Sequence, residues 1–167
     1  MAEDRRKSFE NTVAAELPVM YRVARRLVIE PSDAEDLVGQ ALLLAAKAWT
    51  GFDGRHARSW LLKILRNEYV ASMRRKAARP VTVPLERADA VPAAPWDGTP
   101  APSTGADLLK ELDLLPDEYR LAVALCDMEE MSYAEAAEAM EVPVGTVRSR
   151  LYRGRMMLRD RLGDTYA

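Results

Sequence analysis

Residues 132–162, SYAEAAEAMEVPVGTVRSRLYRGRMMLRDRL, decide how the C-terminal part of this chain folds. The stretch opens with Ser132, a good helix cap, and Glu135 follows three residues later as in a capping box. A short alanine-rich segment then reaches a three-residue break, 141–143, where Pro143 suits the start of a helix. A longer arginine-rich segment follows. A short helix, a tight break and a longer basic helix together predict a helix-turn-helix.

The basic segment is predicted to form one helix over residues 144–162. At about 100° per residue, four apolar residues fall within about 60° of one another and are predicted to face the core. They are Val147, Leu151, Leu158 and Leu162. The opposite side carries Ser149, Tyr152, Arg153 and Met156, flanked by Arg148 and Arg159, while Arg150 and Arg161 lie on the other flank.

The outer side of this helix suits DNA. Arginine can donate two hydrogen bonds to one guanine, and the smaller polar groups contact phosphates or thymine methyls. Gly145 and Thr146 let backbone amides approach a phosphate at the helix start. Arg150 and Arg161 suit either phosphates or an acid of the same chain. The alternative for the whole face is a solvated basic surface, and the preceding capped helix and tight break favour DNA.

Charge is distributed unevenly along a chain whose formal net charge is only -2. Residues 1–79 hold 15 basic against 10 acidic residues, whereas residues 106–167 hold 8 against 13. Six of those last eight basic residues lie between Arg148 and Arg161. The C-terminal part is therefore an acidic body with one basic helix, the electrostatic pattern expected for groove binding.

The composition argues against several classes of protein. One cysteine, Cys126, and one histidine, His56, exclude a disulfide framework within the chain and leave almost no basis for a zinc site. We find no catalytic constellation and no long apolar span or secretory signal. We therefore expect a cytoplasmic protein that is not an enzyme, without cofactor, metal, small-molecule substrate or membrane insertion. Cys126 is expected to be a buried small hydrophobe.

Every strong periodic signal is helical, and the sequence predicts an all-α protein of two small helical domains joined by a Pro-rich linker. The first domain, 1–79, has helices at 10–28, 34–49 capped by Ser32, and 59–76. The linker, 80–105, holds six of the ten prolines together with Trp96, which docks on its own chain or on a partner. The second domain, 106–167, has four helices at 106–115, 116–128, 132–140 and 144–162.

Several aromatic and aliphatic residues of the first domain are predicted to point inward. They are Val13, Leu17, Met20, Tyr21, Ala24 and Leu27 of the first helix, together with Trp49, Trp60, Ile64 and Met73.

Residues 114–162 resemble the C-terminal domain of bacterial RNA polymerase sigma factors of the extracytoplasmic-function (ECF) group. The resemblance is carried by Leu115-Pro116, Arg120, Ser132-Tyr133, Glu135, Ala137-Glu138 and residues 142–150. The first domain is similar to the second sigma domain, through residues 21–27, 33–38 and 52–54 and through Trp60-Leu61, Ile64, Arg66 and Asn67.

This resemblance implies an alternative sigma factor that binds core RNA polymerase and directs initiation at promoters by reading their −10 and −35 elements. It implies −35 contacts by Thr146, Arg148, Ser149, Tyr152 and Arg153. It implies contacts near the −10 element by Phe52, His56, Arg66, Asn67, Arg74 and Arg75, and polymerase contacts by Asp33, Asp36 and Gln40. An anti-sigma factor is an expected partner, and in that state the domains are expected to fold on the inhibitor or on each other and hide the recognition helix.

The chain departs from the family pattern between Val38 and Phe52. A Gln-Glu pair, an aromatic, a basic and a second aromatic residue of the family are replaced here by Gly39, Gln40, Leu42, Leu44 and Ala46. Fewer aromatic rings are thus available for stacking on unpaired bases. Two other functions therefore stay open: a stand-alone helix-turn-helix regulator, and a sigma-like protein that titrates an anti-sigma factor. His56 either contacts a flipped base or is simply solvated.

Overall fold

The computed structural model describes residues 1–78 and 105–163, and within these ranges every regular element is a helix. The first part contains α1 (Ala2–Leu27), α2 (Pro31–Ala48), a 3-10 turn (Trp49–Gly51) and α3 (Ala57–Ala78). The second contains α4 (Gly105–Asp113), α5 (Asp117–Val123) continued by a π-helical turn (Ala124–Met128), α6 (Tyr133–Met140) and α7 (Val144–Leu162). The all-α prediction is confirmed, including four helices and a helix-turn-helix in the second part. The predicted role of Trp96 falls outside the described residues.

Helix ends follow local chemistry. The Ser132 hydroxyl accepts a hydrogen bond from the Glu135 N–H at 3.1 Å, as the capping pattern predicted. At the other end of α6, Glu141 takes a left-handed conformation with φ 55° and ψ 44°, which turns the chain into α7. The prediction that Ser32 caps α2 was wrong, because α2 begins one residue earlier with Pro31 in its first turn.

Helix α1 begins at Ala2, well before the predicted start at residue 10. Its charged first turns contain ion pairs four residues apart, Arg6 with Glu10 at 2.8 Å and Lys7 with Glu3 at 3.5 Å. Such pairs support a helix that has no apolar periodicity to reveal it. None of the helices in the two described ranges is long and apolar enough to cross a membrane.

The buried residues of the two parts form one continuous apolar cluster. Helices α1, α2 and α3 pack on one another, and α7 packs on α4, α5 and α6. The two parts then meet chiefly where α3 lies against α6, with α1 touching α4 and α5.

Helix α3 therefore has neighbours on two sides, and its predicted inward face was partly wrong. Trp60 and Ile64 are half-buried and pack against the core as predicted, whereas Met73 is 46% exposed and does not point inward. The buried residues of α3 are instead Ser59, Leu61, Leu62, Leu65 and Tyr69. Of the residues of α1 predicted to point inward, Met20, Ala24 and Leu27 are buried, whereas Leu17 and Tyr21 are exposed.

Polar side chains bind the two parts together across this contact. The Ser59 hydroxyl donates to the Glu135 carbonyl at 3.1 Å, and the Tyr69 hydroxyl donates to Asp117 Oδ2 at 2.6 Å. Asp117 also accepts from the buried Arg120, which in turn donates to the Asp113 carbonyl at 2.7 Å. Burial, reinforced by the bond to Asp117, raises the pKa of Tyr69. Arg120 thus fixes the carboxylate that α3 contacts.

Two ion pairs close the contact at its edge. Arg22 of α1 forms a bidentate pair with Glu129, both bonds being 2.8 Å, and Arg26 donates to Asp113 at 3.0 Å. The hydrogen bond to Glu129 raises the pKa of the Arg22 guanidinium. In each pair the arginine comes from the basic first part and the acid from the acidic second part, so charge complementarity favours closure.

Candidate nucleic-acid interface

Helix α7 presents the two sides that its sequence predicts. Val147, Leu151, Leu158 and Leu162 are buried, each with at most 9% of its surface exposed, which confirms the predicted core side. Gly154 lies on that side too, where an added Cβ would stand 2.9 Å from Val123 Cγ2 and 3.2 Å from the Tyr119 carbonyl oxygen. The helix is thus held closely against α5.

The outer side of α7 is exposed to solvent although the two parts of the chain are packed together. The predicted −35 residues Arg148, Ser149, Tyr152 and Arg153 are all exposed, and Thr146 is half-buried at the helix start. Tyr152 is 66% exposed, and the Ser149 hydroxyl donates to the Gly145 carbonyl at 3.0 Å. Packing of the two parts on each other therefore leaves this face exposed, whereas the expectation that it is hidden concerned the state bound to an anti-sigma factor.

The six arginines of α7 fall into two groups. Three pair with acids of neighbouring helices: Arg150 with Glu118 at 3.8 Å, Arg155 with Asp127 at 2.6 Å, and Arg161 with Glu111 at 3.4 Å. The remaining three, Arg148, Arg153 and Arg159, have no acidic partner among the residues that the structure describes. Of the two explanations for Arg150 and Arg161, an acid of the same chain is the one seen.

The guanidinium of Arg148 lies over the ring of Tyr133, with its Cζ atom 5.8 Å from the ring centroid. Tyr133 is the first residue of α6 and is 38% exposed. Tyr133 belongs to the Ser132-Tyr133 motif of the sequence but had no predicted role, because spacing along the chain does not show which residue of α7 reaches it.

The candidate −10 residues of the loop before α3 lie beside an aromatic cluster. The Phe52 ring centroid is 4.5 Å from that of Trp60 and 5.0 Å from that of Trp49. Phe52 and both tryptophans are half-buried, so the cluster forms a rim of the first part rather than its centre. His56 is exposed with φ 52°, and its carbonyl accepts the Trp60 N–H at 3.0 Å, which starts α3.

The other candidate −10 residues are spread along α3. Arg66 donates to Asn67 Oδ1 at 3.2 Å, and Asn67 donates to Glu141 of the helix-turn-helix at 2.7 Å. Arg75 donates to Glu68 at 2.7 Å. At about 1.5 Å and 100° per residue, Arg66 and Arg75 are roughly 13 Å apart along the helix and on opposite sides of it, so these side chains do not form one cluster.

The candidate polymerase residues Asp33, Asp36 and Gln40 are all exposed on α2. Their spacing of three and four residues places them on one face. Leu43 and Leu44, 59% and 41% exposed, follow next along the helix. This α2 face therefore combines acids, an amide and apolar surface.

Comparison with known proteins now identifies the family. Residues 12–79 match the model for Sigma-70 region 2, and residues 106–158 match the model for Sigma-70, region 4. The ECF RNA polymerase sigma factor SigE of Mycolicibacterium smegmatis is 36% identical over 93% of this chain, which spans 62% of that protein. The RNA polymerase sigma-E factor of Streptomyces avermitilis is 34% identical over 97% of this chain and 89% of its own length. The chain belongs to the ECF sigma factors.

The packing of the two parts also has a counterpart among solved structures. The sigma factor RpoE of Bartonella quintana, crystallised in complex with the anti-sigma factor NepR, is 29% identical to this ECF sigma factor. It matches with a TM-score of 0.75 over 95% of this chain and 99% of its own. A match of that extent includes helices from both parts.

Within the described residues of this sigma factor, no group of histidine, cysteine and acidic side chains is arranged to hold a metal ion. Cys126 is half-buried and packs against the core, and burial raises the pKa of its thiol. Its surroundings therefore disfavour the reactive thiolate.

Proposed function

We propose that this alternative sigma factor binds core RNA polymerase through α2 and reads promoters at two points. Its domains are residues 1–79 for polymerase and the −10 region, a linker 80–105, and residues 106–167 for the −35 element. In the second domain the contacts are assigned to Thr146, Arg148, Ser149, Tyr152 and Arg153. In the first they are assigned to Phe52, His56, Arg66, Asn67, Arg74 and Arg75 for DNA, and to Asp33, Asp36 and Gln40 for polymerase. A cytoplasmic location and a role without catalysis go with this proposal.

The observation that carries the proposal is the sorting of charge on α7. Arginines on its flank are neutralised by acids, whereas Arg148 and Arg153 are exposed without an acidic partner among the described residues. A guanidinium whose donors are free suits the acceptor edge of guanine. Because the rest of the domain is acidic, this helix supplies only part of the affinity, and polymerase supplies the remainder.

Strand opening is assigned to the loop before α3. The segment 39–46 lacks the aromatic residues that usually stack on unpaired bases, but Phe52, Trp49 and Trp60 form a half-buried aromatic rim beside exposed His56. Aromatic rings at the edge of a domain suit an extruded base. We therefore assign base capture to this rim.

Two-point reading requires the closed domains to separate. In the closed arrangement Tyr69 and Asp117 of the two domains are 2.6 Å apart. The two promoter elements lie about 70 Å apart, which corresponds to two turns of DNA. The linker reaches at most about 90 Å when extended, against an average of about 28 Å for a flexible coil. The promoter complex thus has an extended linker and an open arrangement.

We also infer that an anti-sigma factor binds the closed arrangement. The support is the likeness to the Bartonella quintana sigma factor, whose structure was obtained with its anti-sigma factor bound. A protein that binds only the closed form shifts the population away from the open form by its difference in affinity for the two. Such a partner would therefore prevent initiation without covering the recognition helix.

Run-off transcription on genomic fragments tests the proposal. Core polymerase alone serves as control, and the transcripts gained on addition of the sigma factor are mapped. We expect new start sites that share two upstream elements about two helical turns apart. Absence of any new start site would refute the proposal. DNA binding as a symmetric dimer without polymerase would indicate a stand-alone regulator, and anti-sigma binding without transcripts would indicate a titrating protein.

A further inference from the structure

We propose that Tyr133 is a positioning residue that holds Arg148 in the orientation needed to read a base. This inference rests on the proposed function, in which α7 reads the −35 element. It adds a residue of the first helix of the helix-turn-helix, α6, to the determinants of base preference.

The contact with Tyr133 orients Arg148 without using its guanidinium in an ion pair. The Arg148 Cζ atom lies 5.8 Å from the Tyr133 ring centroid, inside the range of about 6 Å at which a cation and an aromatic face attract. The contact is with an aromatic ring and not with a carboxylate, so it leaves the N–H donors of the guanidinium without an acidic partner among the described residues. The donors of Arg148 therefore stay available for a base while the side chain is held beside Tyr133.

Arg155 provides the contrast on the same helix. Its Nε and one terminal nitrogen donate to the two oxygens of Asp127 at 3.0 and 2.6 Å. The bond with Asp127 raises the pKa of Arg155, and Tyr133 contributes in the same direction. Arg155 is thus a charged, fixed neighbour of Tyr133 that is committed to an acid of its own chain. Tyr133 lies between an arginine that serves the fold and one that is free for DNA.

Orientation before binding has a measurable consequence. A long arginine side chain on an exposed helix loses rotamer freedom when it binds, and a side chain already held in place loses less. A contact of this type at an exposed site corresponds to an effect of about two- to fivefold on affinity. The effect should appear at the base pair that Arg148 contacts, because Arg155, the other α7 arginine beside Tyr133, is held by Asp127 and is not assigned to DNA.

The experiment uses the full chain assembled with core polymerase and a set of promoters that carry every base at each position of the −35 element. Arg148→Ala first locates the base pair that Arg148 reads. Tyr133→Leu removes the ring, and Tyr133→Phe keeps it without the hydroxyl. Tyr21→Leu removes a tyrosine of matching exposure, 37% against 38%, from α1 and serves as control. Thermal unfolding is recorded for every variant.

We expect Tyr133→Leu to lower affinity for the preferred promoter by about two- to fivefold and to flatten base preference at the Arg148 position. Tyr133→Phe and Tyr21→Leu should keep the preference. In an Arg148→Ala background, Tyr133→Leu should have no further effect on promoter affinity or base preference, because the side chain through which Tyr133 acts is absent.

Three results would overturn the inference. One is an equal loss from Tyr133→Leu with and without Arg148, and another is a loss of the same size at every promoter position. The third is loss of base preference in Tyr133→Phe, which would assign the role to the hydroxyl. If Arg148→Ala itself leaves promoter preference unchanged, the proposed reading face fails, and the role of Tyr133 fails with it.

Discussion

Helices α3 and α7 are both long, with 22 and 19 residues, and both carry several arginines, but they are covered in different ways. The main contacts of α7 come from α4, α5 and α6 of its own domain. Those of α3 come from α1 and α2 of its own domain and from α6 of the other. Apolar periodicity predicted the buried side of α7 correctly and that of α3 only in part. The apolar periodicity of a helix therefore reveals the face that neighbouring segments of the chain cover. It does not reveal a face that is covered by a helix of the other domain.

The largest effect expected is at the buried side of α7. Leu151→Ala should lower the free energy of unfolding by about 2–5 kcal/mol, because it leaves a cavity at a residue that is 1% exposed. Chemical denaturation followed by circular dichroism measures this. The matched control is Leu43→Ala on α2, where the side chain is 59% exposed and the cost should stay below about 0.5 kcal/mol. Equal losses in the two variants would contradict the assigned sides of α7.

The outer side of α7 is tested by two neighbouring arginines. Arg153→Ala should weaken binding to the −35 element by about 1–3 kcal/mol and leave unfolding unchanged, because Arg153 is exposed and has no acidic partner in the described part of the chain. Promoter titration of the polymerase complex measures the loss.

Arg155→Ala is the matched control and should behave in the opposite way. It removes the exposed pair with Asp127, so stability should fall by less than about 1 kcal/mol while base preference is kept. If both variants lose promoter binding equally, the sorting of arginines into two groups is wrong.

Two glycines sharpen the comparison between a packed and an open helix face. Gly154→Ala on α7 should destabilise the fold by about 1–3 kcal/mol, because the new Cβ would lie 2.9 Å from Val123 Cγ2. Gly39→Ala on α2 has nothing within 4 Å and should stabilise the fold by about 0.5–1 kcal/mol. Thermal unfolding measures whether each of these substitutions stabilises or destabilises the fold.

A second substitution tests the close packing of α5 against α7 at Gly154. Val123→Ala makes room for the methyl group, so the loss in the double variant should be smaller than the sum of the losses in Gly154→Ala and Val123→Ala alone. A stabilising Gly154→Ala would show that α5 and α7 are less closely packed than described.

The smallest effect concerns the contact that covers α3. Arg22→Glu faces Glu129 with a like charge and should favour the open arrangement by about 0.5–1 kcal/mol. The radius of gyration from small-angle X-ray scattering should rise. Adding Glu129→Arg should restore the pair in reverse and reduce the radius again. A radius of gyration that stays the same in both variants would show that this ion pair does not contribute to closure.

Much of the helix-turn-helix followed from sequence, because its determinants are local. The Ser132 cap, the break at 141–143 and the limits of α7 depend on residues within a few positions of one another. The contacts of Tyr133 with Arg148 and of Asn67 with Glu141 join separate helices, and in the second case separate domains. No spacing rule connects such residues, and their partners became evident only once the helices were placed.

The ion pairs that join the domains affect how promoter binding responds to ionic strength. Contacts with phosphates weaken steeply as salt rises, because each released counterion gains less entropy on entering a more concentrated solution. The pairs of Arg22 with Glu129 and Arg26 with Asp113 are screened by the same ions, which favours the open form that two-point binding requires. The two responses have opposite signs, so the logarithm of observed affinity should fall with salt less steeply than the number of phosphate contacts indicates.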